Sequence, residues 1–144
     1  HFWGQGYGAE ENAGGVCIAS RGVWRQQIVH AEIITQGRAQ FLILEHEESR
    51  WGLLNVYAPN HASARARLWE EIYLALPEDV ENWIVGGDFN MPEDPQDRRG
   101  GNMATIQGLE LANWERLVLK LRIFDVWHLK LSQTSRISQI LKIR

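Results

Sequence analysis

The stretch NWIVGGDFNMPE, Asn82 to Glu93, decides how the rest of the chain is read. Ile84 and Val85 form a short apolar run bounded by turn-forming residues, the pattern of a buried strand. Two glycines follow, and then an acid, an aromatic and an amide in succession. Residues i and i+2 of an extended chain project to the same side. Asp88 and Asn90 are therefore expected to face one group while Phe89 turns into the core.

Upstream, GGVCIAS, IVHAEII, AQFLILEH and WGLLNVYAP are short runs rich in Val, Ile and Leu, separated by polar residues and glycine. They predict consecutive strands of a largely antiparallel meander. From Ser63 the period changes: Leu68, Ile72, Ala75 and Leu76 fall at helical spacing, with Arg65, Arg67, Glu70 and Glu71 on other faces and Pro77 as the stop. A second helix is predicted from the stripe Trp114, Leu117, Val118 and Leu121, and a last short strand around IFDVW. The glycine-rich opening HFWGQGYGAEENAGG has neither period and is expected to be irregular, and the tail HLKLSQTSRISQILKIR supports no assignment. Strands followed by helices alternating with strands predict an α+β or layered α/β domain.

Composition narrows the function less than the fold. The 144 residues suffice for one domain with one core, and 44% apolar content is that of a globular protein. A formal charge of −3 argues against gripping nucleic acid through overall charge, though not against a local basic patch. The lone Cys17 has no partner for an internal disulfide and is expected to be a small buried residue. No apolar run is long enough to cross a bilayer, and the first residues lack the order of a signal peptide. The chain opens at His1 without methionine, so a fragment of a longer protein is expected.

Two sites offer chemistry, LLNVYAPN and GGDFN. Asn55 and Tyr57 share a strand face, and Pro59 ends the pairing so that Asn60 falls in the next turn. If these strands are neighbours ending on one rim, Asn55, Tyr57, Asn60, Asp88 and Asn90 converge. That set holds a base, a hydroxyl and amides but no serine or cysteine paired with histidine, which disfavours covalent acyl transfer. Hydrolysis of a phosphodiester needs a base to orient water, donors for the non-bridging oxygens and usually a divalent cation. Asp88 suits the first role with Asn90 as its orienter, and Tyr57 and Asn60 suit the second. The plainer reading of GDFN is a capped turn in which Asp88 and Asn90 bond backbone groups. Glu93, Asp94 and Asp97 read better as a solvated loop than as metal ligands, and Arg65, Arg67, Arg98, Arg99 and Arg116 as ordinary surface charges.

A strand ending NVYAPN, a helix, and an apolar strand ending GGDFN, with GGVCIAS, RARLWEEI, PEDPQDRRGG and FDVW in order around them, resembles the endonuclease/exonuclease/phosphatase superfamily. In detail it is similar to the apurinic-like endonuclease domain of LINE-type retrotransposons. The resemblance runs from about Gly14 to Trp127 and implies one partial domain over residues 1–144. It implies a four-layered α/β sandwich, two mostly antiparallel sheets face to face with helices outside, here incomplete. It implies cleavage of DNA phosphodiester bonds with Mg2+ or Mn2+, a link to a reverse transcriptase in a longer parent protein, no membrane, and a nuclear site of action. Carried over by motif, Asp88, Asn90 and Tyr57 are catalytic, and Asn55, Asn60 and Arg67 contact substrate.

The chain also departs from that pattern. The family's metal-binding glutamate lies upstream of the region matching GGVCIAS, where only Glu10 and Glu11 occur, in a glycine-rich context. The metal ligands are thus undetermined, with Asp88 and Asn90 the nearest candidates. The closing Asp-His dipeptide is absent, His128 follows Trp127 instead, and SRISQIL carries Ser138 where the family has an acid. These losses imply weakened or lost cleavage. Two alternatives therefore stand: an inactive remnant that binds nucleic acid weakly, or a phosphoesterase of the same superfamily acting on a small phosphate ester.

Overall fold

The computed structural model describes residues 2–6, 15–91, 104–125 and 139–140. Strands β1 (Phe2–Gly6) and β2 (Gly15–Ala19) pair antiparallel as a two-stranded sheet. Two expectations fall here. Residues 2–6 of the opening segment form a strand rather than an irregular run, and β2 joins it rather than the meander. A glycine-rich stretch has little intrinsic strand preference, and what orders it is the backbone ladder from Phe2 opposite Ala19 to Gly6 opposite Gly15.

After a short helical turn, α1 (Trp24–Gln27), the meander appears as expected: β3 (Ile28–Thr35), β4 (Ala39–His46) and β5 (Ser49–Tyr57), successively antiparallel. Glu47 and Glu48 join β4 to β5 with φ of 47° and 64°, the mirror-image turn conformation that suits the twist of a hairpin. Helix α2 (Ala62–Ala75) crosses over, so β6 (Asn82–Asp88) returns parallel to β5. Helix α3 (Ala104–Leu121) leads to β7 (Phe124–Asp125), and β8 (Gln139–Ile140), from the tail that the sequence left unassigned, lies between β6 and β7. The larger sheet has the order β3-β4-β5-β6-β8-β7.

Helices α2 and α3 cover one face of this sheet. There Phe41, Leu54, Val56, Trp83 and Val85 meet Leu68, Trp69 and Ile72 of α2 and Leu117 and Leu121 of α3 in one continuous core. On the other face β2 lies across β4 and β5, its Val16 buried, and Leu42 and Leu44 are buried as well. Double coverage explains why AQFLIL is apolar without alternation: β4 is buried on both faces from Ala39 to Leu44. The fold is mixed α/β, helices on a sheet on part of a second sheet, as an incomplete sandwich requires.

Two burial expectations are corrected. Cys17 is exposed, because Val16 takes the inward position of β2 and period two sends its neighbour outward. Arg65 is buried rather than solvated, and Trp69 is a core residue of α2 while Ala75 is half-buried. Positions 65, 69, 72 and 76 form the helix's true inner stripe, so Arg65 lies on the apolar face.

Candidate active site

The parallel register of β5 and β6 brings the two motifs together. Asn55 stands beside Gly86 and Tyr57 beside Asp88, and both strands end at the same rim. Inward positions Leu54, Val56, Trp83 and Val85 face the helices, which leaves Asn55, Tyr57 and Asp88 on the opposite face. These three, with Ile18, Leu53 and Ile84, line a cleft of about 510 Å3 beside β2. Asp88, at its mouth, is exposed.

The loops beyond the strands are tied to each other through Ala58, which is itself fully buried. Its N–H donates to the Asp88 carbonyl at 2.8 Å, and its carbonyl accepts from the Asn90 side-chain amide at 2.6 Å. Asn90 has φ of 48°, a left-handed conformation that asparagine tolerates, and its backbone N–H donates to Asp88 Oδ1 at 3.0 Å. The capped turn is thus present, and it fixes the carboxylate. Asp88 is oriented by the backbone of Asn90, while the Asn90 side chain holds the neighbouring loop. Phe89 turns the opposite way, as expected, against Trp69 and Trp114 with ring centroids 6.2 and 5.4 Å away. With the aromatic anchored in the core, Asp88 before it faces outward while Asn90 after it turns its amide to the Ala58 carbonyl.

The remaining sequence-derived residues take varied places. Asn55 donates to the Cys17 carbonyl at 2.9 Å, which ties β5 to β2 and occupies its amide. Tyr57 lies under the Arg38 guanidinium, 4.9 Å from its ring centroid, and its hydroxyl has no hydrogen-bond partner among the described residues. Asn60 is exposed in the turn, while Arg67 is exposed on α2 and does not line the cleft. Glu10, Glu11, Glu93, Asp94, Asp97, Arg98, Arg99, His128 and Ser138 lie outside the described residues.

Sequence reasoning missed the group that holds the rim from below. Arg65 pairs with Glu110 of α3, both buried, and also donates to the carbonyls of Pro59 and Asn60. The signal was available: Arg65 sits on the inner stripe of α2, and Glu110 precedes Asn113, Leu117 and Leu121 on that of α3. A charge of each sign on facing apolar stripes predicts a buried pair.

As for a divalent cation, the described residues hold no group of three or more His, Cys, Asp or Glu able to cage one. Mg2+ keeps several waters and asks for one or two carboxylates. Asp88 meets that lesser demand, since the Asn90 N–H engages only its Oδ1. The donor set fits a water-rich hard cation with Asp88 as its carboxylate. No helix among the described residues is long and apolar enough to cross a membrane.

No family model matches the chain. It is 28% identical over 106 residues to the Transposon TX1 uncharacterized 149 kDa protein of Xenopus laevis. The alignment takes in 72% of this chain and 8% of that protein, so the chain spans less than a tenth of the length of the relative it matches.

Proposed function

We propose that this chain is part of the endonuclease domain of a LINE-type retroelement protein, one that cuts DNA phosphodiester bonds by attack of water. The observation that carries the reading is the register that sets Tyr57 beside Asp88 at a common rim, with the Asn90 N–H on the carboxylate. The similarity to a transposon-encoded protein supports the origin, and the small share of that protein covered supports a longer parent, with a reverse transcriptase domain as its expected partner.

In this mechanism Asp88 orients the attacking water and takes its proton. Asn90 holds the carboxylate through its backbone N–H and keeps the two loops together through its amide. The Tyr57 hydroxyl donates to a non-bridging phosphate oxygen, where negative charge grows in the transition state. Asn60 contacts the DNA strand from the exposed turn, and Arg67 attracts its phosphates from α2. Asp88 would hold a divalent cation such as Mg2+ or Mn2+, which would supply positive charge to offset the negative charge that develops on the phosphate.

Nicking of supercoiled plasmid by purified protein in Mg2+ or Mn2+ tests the proposal. The expected result is nicking that stops on chelation and falls on the order of 10²-fold or more in Asp88→Ala. Equal nicking by Asp88→Ala would remove Asp88 from the reaction. A folded but inactive native protein would instead favour an inactive remnant.

A further inference from the structure

The ion pair between α2 and α3 does more than join two helices. Arg65 and Glu110 have side-chain exposures of 6% and 0%, and an ion pair so deeply buried is a poor source of stability compared with an apolar pair of the same size. The rest of the guanidinium accounts for its presence. Arg65 Nε donates to Glu110 Oε1, while Nη1 donates to the Pro59 carbonyl at 3.1 Å and to the Asn60 carbonyl at 2.5 Å. One rigid fork therefore links α3 to two consecutive carbonyls of the turn that follows Tyr57. The preceding residue of that turn, Ala58, is held from the other side by Asp88 and Asn90.

We infer that Arg65 is a positioning residue: its guanidinium, oriented by Glu110, sets the turn 58–60 that leaves β5 at the rim where Tyr57 stands beside Asp88. A planar guanidinium reaches a carboxylate and two carbonyls at once, which a lysine ammonium on its flexible stem does not reproduce. The catalytic consequence rests on the proposed DNA cleavage. The mechanical consequence, a turn that loosens without the fork, stands apart from it.

The test uses Arg65→Lys, which keeps the charge opposite Glu110, and the double variant Arg65→Met with Glu110→Met, which replaces the pair by apolar groups of similar length. Amide hydrogen exchange at Ala58 is followed beside the amides of α2 and α3, together with plasmid nicking resolved into kcat and KM. Both variants are expected to keep helix protection while Ala58 exchanges at least about tenfold faster. The kcat is expected to fall on the order of 10²-fold with little change in KM, the signature of groups displaced from the transition state. Unchanged Ala58 exchange with intact helices overturns the inference, as does a loss of activity that merely follows the folded fraction. Should Arg65→Lys not fold, the double variant decides, and unfolding of both would assign the pair to stability alone. If native protein does not nick DNA, the cleavage reading fails by itself, and exchange at Ala58 still decides the positioning role.

Discussion

Gly87→Ala is the sharpest perturbation of the rim. Gly87 sits at φ of 134°, and a Cβ built there would lie 1.8 Å from the Val56 carbonyl oxygen, with the Val56 carbonyl carbon and nitrogen both under 3.0 Å. These are backbone atoms of the neighbouring strand, so no side chain can swing aside. Since real Cβ contacts essentially never fall below 3.0 Å, β6 must retreat from β5 by more than an ångström. The bond from the Ala58 N–H to the Asp88 carbonyl, next along the ladder at 2.8 Å, does not survive such a movement. A buried donor left unmade costs about 1–3 kcal/mol. A side chain at this backbone conformation costs about 1–3 kcal/mol more. Roughly 2–6 kcal/mol is a large share of the stability of a domain of this size and lowers Tm by roughly 6–24 °C. Thermal unfolding followed by circular dichroism reads it directly. Gly22→Ala is the internal control: its φ is 65°, but no atom lies within 4 Å of the added Cβ, so only the backbone term of about 1–2 kcal/mol remains. Equal Tm losses in the two variants, or a loss below about 4 °C in Gly87→Ala, would refute the close-approach argument.

Three further outcomes are expected. Gly108→Ala, in the exposed interior of α3 with open space around the new methyl, should raise stability by about 0.5–1 kcal/mol in urea unfolding; a decrease would mean that the helix is not free to accept it. Trp69→Ala should cost about 3–5 kcal/mol, because the indole is fully buried between α3 and Phe89. Trp69→Phe should cost less than half as much, since the buried indole N–H has no partner among the described residues to lose. Asn90→Ala should lose about 1–3 kcal/mol by stripping the donor from the buried Ala58 carbonyl, and Asn90→Gly, which lacks the same donor but relieves the φ strain, should recover only part of it; full recovery would show that the amide bond to Ala58 contributes nothing.

Local pattern sufficed wherever a period was long or a stop residue sharp. AQFLILEH coincides with β4, WIVGG lies within β6, and α2 begins one residue before Ser63 and ends just before the Pro77 signal. Alternation along LLNVY placed Asn55 and Tyr57 on one face, and the aromatic between Asp88 and Asn90 told which way each would turn. Short-range chemistry also made the Asp88–Asn90 turn legible, because an Asx turn depends only on residues two apart.

What local pattern could not supply was pairing between distant segments. Phe2–Gly6 became a strand because Gly15–Ala19 offered it a ladder, and β8, with only two residues, has no period of its own and exists through its neighbours β6 and β7. Cys17 was misplaced because the inward face of β2 is set by what β4 and β5 present to it. Arg65 was read as a surface charge because its partners lie on two other segments: the carbonyls of the turn before it, and a carboxylate 45 residues later. Pattern along the chain was enough to tell which residues are polar at the ends of two strands. That those strands run parallel in the register Tyr57 beside Asp88 was settled by packing, since strand order and register arise from a crossover helix on a common core, a long-range balance of burial that no window of the chain contains.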